Sequence, residues 1–324
     1  MGFNFPEPNH VIVMLGERVN FDGWLFCLDG VAGKTVRIDF KTRRKLNKWK
    51  TLNPVFAEAT DLTDPATYKT GASNGTIKCT NGVSVPDTAN QNWHFMTNTR
   101  LVSNNEFTVT QTFTSNSVWI ANRVPYSVGF NERYTRGLKD NPYAKVIEVG
   151  YSNSGQPLRA VQIGNSDKPT VVIAGGEQAI QFDSMWCAQG AIEFLIGDTE
   201  AAKSLREKCC FIVIPMLDPD GVIRNQMIIP GAFSRGSQSS TSIAWANFFQ
   251  NWVNAGHRLD VVFEMHNVQS LEAPHLSRAF IENTKTRGVL AEDINAAVVK
   301  QFQSAQGLPA TGALDTRTLS ALGV

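Results

Sequence analysis

Three polar residues follow apolar runs in the second half of the chain, and their side chains have the chemistry to bind a ligand. Gln178 and Gln181 lie three residues apart just after the run 170–176, and His266 directly follows the run 259–265. A glutamine offers a neutral amide, and a histidine can bind a metal or transfer a proton. By residue type alone, the favoured interpretation is two solvated glutamines at a helix start and one hydrogen-bonded structural histidine.

The elements that carry these residues alternate between strand and helix beyond about residue 140. Strands are expected at 146–150, 158–163, 170–176, 209–216 and 259–265, and helices at 182–196 and 243–253. Runs that are apolar on both faces and separated by helices indicate an α/β domain, with a mixed, mostly parallel sheet and helices on both faces. The stripe of Trp245, Phe248, Phe249 and Trp252 is expected to be core rather than a sugar platform.

The first part of the chain has a different pattern, in which short β-type stretches recur between turn clusters. Val36, Ile38 and Phe40 alternate with polar residues, which is typical of a half-buried strand. Similar stretches at 11–14, 23–28 and 107–113 predict an amino-terminal β-sandwich. The last strand of this region, 117–126, contains Pro125 and is followed by a predicted helix at 132–138.

The chain is therefore expected to contain three domains. Residues 1–128 form the predicted β-sandwich, residues 129–272 the α/β domain, and residues 273–324 a small helical module that is too short to hold an α/β layer.

Composition excludes several classes of partner. The net charge is +1 and charged residues make up 18% of the chain, so no basic surface for nucleic acid is indicated. No apolar run is long enough to span a bilayer, and the first residues lack the basic and apolar regions of a signal peptide. We therefore expect no nucleic acid, no membrane insertion and no signal peptide. The five cysteines are scattered and are expected to be mainly buried thiols.

A resemblance to a known family rests on three segments in order. Residues 167–181 run from a buried strand into a small-residue turn, 213–222 combine a strand with an Asp-Pro-Asp-Gly turn, and 259–266 form a strand that ends in histidine. Together they resemble the M14 zinc metallocarboxypeptidases, in particular the cytosolic-carboxypeptidase-like branch. That branch also has an amino-terminal β-sandwich that ends in a Pro-Tyr strand, similar to 119–126.

The resemblance implies which residues stand at the zinc ligand positions. Gln178 and Gln181 occupy the places of the family's first histidine and its glutamate, and His266 occupies the place of the last histidine. A catalytic zinc of this type is held by two imidazoles and a carboxylate. A neutral amide oxygen neither balances the charge of the metal nor replaces an imidazole nitrogen. We therefore expect a degenerate site with no metal, no cofactor and no catalytic residue.

The substrate clamp and the general base implied by the resemblance are also altered. Ile228 falls near the place of the family's first clamping arginine, and no Asn-Arg pair follows. Arg224 and Arg235 remain as candidates for binding a substrate carboxylate, because a guanidinium matches a carboxylate fork. For the base, Glu272 and Glu282 are candidates by position alone.

The last segment resembles a second family, the peptidoglycan-binding domain 1 found on many wall hydrolases. The resemblance rests on 288–303, on the turn 304–312 and on 313–322. It implies that the module binds peptidoglycan, whereas small three-helix units can also serve as protein docking modules.

Three hypotheses follow from these patterns. The leading one is a catalytically inactive M14-like protein that binds the cell wall or serves as a structural component, with a bacteriophage virion or release at lysis as its context. The second is an active zinc carboxypeptidase or endolysin that cleaves peptidoglycan stem peptides. The third is a structural assembly subunit, in a virion or another assembly, that does not bind the wall.

Overall fold

The structure is a computed structural model. It describes residues 2–15, 24–42, 54–59, 68–82, 93–96, 98–103, 105–224, 239–265, 303–304 and 307–311. Contacts group the chain into two compact units, 1–267 and 268–324. The division into three predicted domains stays a prediction.

The first part of unit 1–267 is built from strands. They are β1 (Gly2–Glu7), β2 (His10–Leu15), β3 (Leu25–Asp29), β4 (Thr35–Thr42), β5 (Val55–Ala59), β6 (Tyr68–Ser73), β7 (Lys78–Gly82), β8 (Trp93–Phe95), β9 (Thr99–Ser103), β10 (Glu106–Thr112) and β11 (Ser117–Ala121). One sheet has the order β1-β2-β4-β10-β9, and the other has the order β6-β7-β3-β11-β5-β8.

The two sheets pack face to face around one apolar core. Val36, Ile38 and Phe40 of β4 point into it from the first sheet, and Phe26 and Leu28 of β3 from the second. The alternation read from β4 therefore corresponds to a buried face. The predicted amino-terminal β-sandwich is confirmed.

The second part of this unit alternates between helices and strands. Its elements are α1 (Val128–Gly137), β12 (Ala144–Tyr151), β13 (Pro157–Ile163), β14 (Thr170–Ala174), α2 (Phe182–Ile196), α3 (Glu200–Lys208), β15 (Cys210–Ile214), α4 (Pro219–Arg224), α5 (Ser240–Asn254) and β16 (Val261–Glu264). The sheet order is β12-β13-β15-β14-β16. β15, β14 and β16 run parallel, whereas β13 is antiparallel to both β12 and β15.

Helices cover both faces of this sheet. On one face, Ala188, Ile192 and Leu195 of α2 pack against β13 and β15. On the other face, Trp245 and Trp252 of α5 pack against the apolar side chains of β13, β14 and β15. The prediction of a mixed sheet with helices on both faces is confirmed, and the aromatic stripe of α5 contributes to the core as expected.

Several local expectations need correction. α1 begins at Val128 rather than at residue 132, because the Ser127 side chain accepts a hydrogen bond from Phe130 N (3.0 Å) and caps the helix. The short helices α3 and α4 were not predicted. Among the cysteines, Cys27, Cys79 and Cys210 are buried, as expected for most of the thiols, whereas Cys187 on α2 is exposed.

The structure describes only a small part of the predicted carboxy-terminal module. Of the small carboxy-terminal module, the structure describes residues 303–304 and 307–311, so its predicted helices lie largely outside the described residues. Among the described helices, none has both the length and the apolar character needed to cross a bilayer.

Candidate functional site

The three segments singled out in the sequence meet at the carboxyl edge of the α/β sheet. Gly175 N, just after β14, donates to Ile214 O at the end of β15 (2.8 Å), and Met265 N, just after β16, donates to Ala174 O (2.8 Å). The carboxyl ends of parallel strands are where open α/β sheets place their ligands. His266 follows Met265 directly, but it lies outside the described residues.

The turn after β14 is shaped by two glycines. Gly176 has a φ of +73°, which L side chains rarely adopt, and a Cβ at Gly175 would lie 2.5 Å from Ser184 O. Gly176 N donates to Ser184 Oγ (3.0 Å), and Ser184 Oγ donates to Gln181 O (2.6 Å). Close backbone packing therefore fixes the start of α2, where both glutamines lie.

Gln178 and Gln181 are joined by two hydrogen bonds. Gln181 N donates to Gln178 O (2.8 Å), and Gln181 Nε2 donates to Gln178 Oε1. Gln181 occupies the N-cap position of α2 without capping it through its side chain. Gln181 is 4% exposed, so the expectation of a solvated glutamine is wrong for this residue. Its amide turns toward Gln178 instead of toward water, and Gln178 is half-buried.

This pair does not fit a zinc ion. Zinc in proteins is held by thiolates, imidazoles and carboxylates, whereas Gln178 and Gln181 offer neutral amides, and the Gln178 oxygen already accepts a hydrogen bond. Within the part of the chain that the structure describes, no three His, Cys, Asp or Glu side chains lie close enough together to hold a metal.

Asp218 is a buried carboxyl at the same edge. Its backbone N donates to Gly176 O (3.2 Å), which places it beside the glycine turn. The side chain is 1% exposed. Gly221 N donates to its Oδ1 (3.0 Å), and Oδ2 has no hydrogen-bond partner in the described structure. Burial raises the pKa of Asp218 to about 6, and the negative charge of Asp220 adds to this, while the N–H of Gly221 and the charge of Arg224 lower it.

Asp220, two residues later, has a different environment. Its carboxylate accepts hydrogen bonds from Ser152 Oγ (2.5 Å), from Ser154 N (3.1 Å) and from Ser154 Oγ. These bonds tie the turn between β12 and β13 to the start of α4. Asp220 therefore has a structural role in the Asp-Pro-Asp-Gly turn, whereas the free oxygen of Asp218 gave no signal in the sequence beyond its residue type.

The two arginines proposed as carboxylate ligands differ in what the structure describes. Arg224 is the last residue of α4 and is exposed, and its charge acts on Asp218. Arg235 lies outside the described residues, as do Ile228, Glu272 and Glu282. Carboxylate binding by Arg224 and Arg235 stays a prediction.

The segment that follows β11 packs along α2, the helix that begins with the glutamines. Arg123 Nε lies 3.0 Å from Asp183 Oδ2, Trp186 Nε1 donates to Val124 O (3.1 Å), and Tyr126 Oη donates to Gln189 Oε1 (2.9 Å). Burial raises the pKa of Asp183, and Arg123 opposes that shift. Local sequence patterns do not indicate these contacts, because the residues in each pair are about 60 positions apart in the chain.

Comparison with known families agrees with both resemblances. The family described as zinc carboxypeptidase matches residues 132–252, and the peptidoglycan binding domain family matches residues 286–322. The first match ends before His266.

The chain is also similar in sequence to individual cytosolic carboxypeptidases. Cytosolic carboxypeptidase 3 of Mus musculus is 24% identical over 131 residues, which cover 36% of this chain and 13% of that protein. Cytosolic carboxypeptidase 2 of Danio rerio is 28% identical over 123 residues, which cover 34% of this chain and 17% of that protein. The chain thus spans less than a fifth of the length of these relatives.

A solved structure shows the same fold. The metallo-carboxypeptidase from Burkholderia cenocepacia aligns with a TM-score of 0.58 and 17% identity, covering 82% of this chain and 68% of that chain. At this identity the similarity concerns the fold alone. Residues 132–252 are thus similar in sequence to the zinc carboxypeptidase family, residues 286–322 are similar to the peptidoglycan binding domain family, and the α/β sheet has a carboxypeptidase-like fold.

Proposed function

We propose that this chain is a carboxypeptidase-like protein without zinc-dependent peptidase activity, which binds the bacterial cell wall through residues 286–322. The part of the proposal that concerns the wall is supported by the peptidoglycan binding domain match. The part that concerns activity depends on the glutamine pair.

The hydrogen bond between the side chains of Gln181 and Gln178 carries the argument for inactivity. An imidazole and a carboxylate at these positions would supply a nitrogen ligand and a negative charge to a zinc ion. Two amides supply neither, and the Gln178 side-chain oxygen already accepts a hydrogen bond from Gln181 Nε2. A single remaining histidine would not hold zinc against water at cellular metal levels.

Zinc analysis of the purified full chain tests this part directly. We expect well under one zinc per chain after dialysis, and no release of terminal amino acids from a peptidoglycan stem peptide. The double substitution Gln178→His with Gln181→Glu is the matched gain-of-ligand variant, and it is expected to raise zinc affinity. One tightly held zinc in the unaltered chain, together with stem-peptide cleavage, would overturn the proposal.

A second candidate function is favoured by the family match itself. The matched family is one of zinc enzymes, and an active carboxypeptidase or endolysin could use His266 in a relocated site. The zinc and cleavage measurements separate this candidate from the proposed one. Arg224→Ala adds a check, because an active enzyme that binds a substrate carboxylate through Arg224 would show a raised KM.

Sedimentation with purified sacculi tests wall binding. We expect the full chain to sediment with intact sacculi and to remain soluble after the sacculi are digested by a muramidase. Failure to sediment would favour the third hypothesis, a structural assembly subunit that docks to other proteins. A bacteriophage virion or release at lysis remains a proposed context, which detection of the chain in purified particles would test.

A further inference from the structure

A groove between β12 and α5 lies outside the candidate site. Its volume is about 430 Å³, and none of the residues that line it belongs to the glutamine turn or to the Asp-Pro-Asp-Gly turn. The groove is therefore separate from the candidate site at the carboxyl edge of the sheet.

The apolar part of the groove includes an aromatic ring. Phe248 is half-buried against the core that also holds Trp245 and Trp252, and Ile243, which lines the groove from the same helix, is 43% exposed. The expectation that the aromatic stripe is core holds for the two tryptophans, whereas Phe248 also lines the groove. A half-buried aromatic ring at the side of a groove can contact one face of a small ring.

The polar part of the groove includes two side-chain amides. Asn247 and Asn251 are four residues apart on α5 and are both exposed, so they lie side by side on one helix face. In the described structure neither side chain forms a hydrogen bond. Each amide can donate and accept at once, which is the pattern that neighbouring hydroxyl groups and acetamido groups present.

Charge narrows the class of ligand. Among the described lining residues, Glu148 alone carries a charge. Its carboxylate accepts a hydrogen bond from Tyr151 Oη (2.5 Å) and lies 3.7 Å from Arg159. No cation lines the groove within the described residues, so a phosphate or another anionic group would find no partner there. An uncharged ligand rich in hydroxyl groups is the best match.

We propose that the groove between β12 and α5 binds a glycan strand of N-acetylated sugars, with Asn247 and Asn251 bonding its hydroxyl or acetamido groups and Phe248 contacting a sugar face. The choice of a wall glycan rests on the proposed function, whereas the site itself is independent of the carboxy-terminal module. The chain would then contact the wall at two places.

Calorimetric titration of the full chain with chitotetraose, a soluble chain of four N-acetylglucosamine units, tests the site. The groove variant is Asn247→Ala with Asn251→Ala. The control is Gln250→Ala with Asn254→Ala, which removes two amides of the same exposed helix that do not line the groove. We expect the groove variant to weaken binding about tenfold or more, since two hydrogen bonds are lost, and the control to change it less than about twofold.

Three results would overturn the proposal: no binding by the unaltered chain, equal binding by the groove variant, or an equal loss in the control variant. Circular dichroism of both variants verifies that α5 is retained. Sacculus sedimentation of the groove variant separates the two proposals, because a working carboxy-terminal module still carries that variant to the wall. Failure of the unaltered chain to sediment would instead count against the proposed function.

Discussion

Asp218 shows how a single residue can acquire a property that its type does not predict. An aspartate that begins a short helix would ordinarily be solvated and ionised at neutral pH. Here one oxygen accepts from Gly221 N, the other has no partner in the described structure, and the side chain is 1% exposed. The ionised form is therefore destabilised in the folded protein, which is why its pKa rises to about 6.

This shift predicts a pH-dependent stability. The folded-state pKa is above the unfolded value of about 3.9, so the folded state binds the proton more tightly. The corresponding stability is fully present below about pH 4 and is lost as the pH rises through about 6, a change of about 3 kcal/mol. Asp218→Asn is neutral throughout and should remove this part of the pH dependence in urea unfolding experiments.

At each pH, the free energy of unfolding of the unaltered chain is subtracted from that of Asp218→Asn. The difference isolates the effect of Asp218, because the other titrating groups are the same in both proteins. We expect Asp218→Asn to gain stability relative to the unaltered chain between pH 4 and 7. Parallel stability curves for the two proteins would contradict this prediction, because they would mean that folding does not shift the pKa of Asp218.

At the scale of elements, the turn between β14 and α2 requires the backbone of Gly175 to lie close to the backbone of Ser184. A Cβ at Gly175 would lie 2.5 Å from Ser184 O, so Gly175→Ala forces the turn and the start of α2 apart. We expect a loss of about 1 to 3 kcal/mol in the free energy of unfolding.

Gly190→Ala is the matched control for this glycine substitution. Gly190 lies within α2, and an added Cβ there meets no atom within 4 Å. Because alanine is the better helix former, this variant should gain about 0.5 to 1 kcal/mol. Chemical denaturation of both variants measures the contrast, and similar effects of the same sign would contradict the geometry of the turn.

The contacts between residues 123–126 and α2 join two elements that are far apart in sequence. Tyr126 is fully buried and donates to Gln189, so Tyr126→Phe should leave that amide oxygen without its partner and cost about 1 to 2 kcal/mol. Tyr143 is 42% exposed and contacts Arg206 through its ring, so Tyr143→Phe is expected to be close to neutral. Thermal unfolding of the two variants tests this difference.

At the scale of the whole molecule, charge is nearly balanced. The chain has 30 lysine and arginine residues and 29 aspartate and glutamate residues. Long-range electrostatic attraction therefore contributes little to any wall binding. We expect sedimentation of the full chain with sacculi to change less than about twofold between low and high salt, whereas a steep loss in high salt would indicate binding through a charged patch.

The sequence alone determined the fold class and the chemical types at the candidate site. Strand and helix patterns are set by the periodicity of neighbouring side chains, so α2 was predicted with its observed bounds, 182–196, and the strands around it were placed to within a few residues. Helix starts that depend on a capping side chain, such as Ser127, were placed less well. The presence of amides at 178 and 181 was likewise plain from the sequence.

Tertiary structure decided how those residue types behave. Burial of Gln181, its bond to Gln178 and the unpartnered oxygen of Asp218 all depend on the carboxyl ends of β14 and β15 meeting at one edge. Sequence periodicity indicates which residues share a face of one strand or helix. Burial and hydrogen bonding depend on contacts between residues that are tens of positions apart in the chain. For this reason the sequence identified the amides and the acid, whereas the fold determined that one amide is buried and that burial raises the pKa of the acid to about 6.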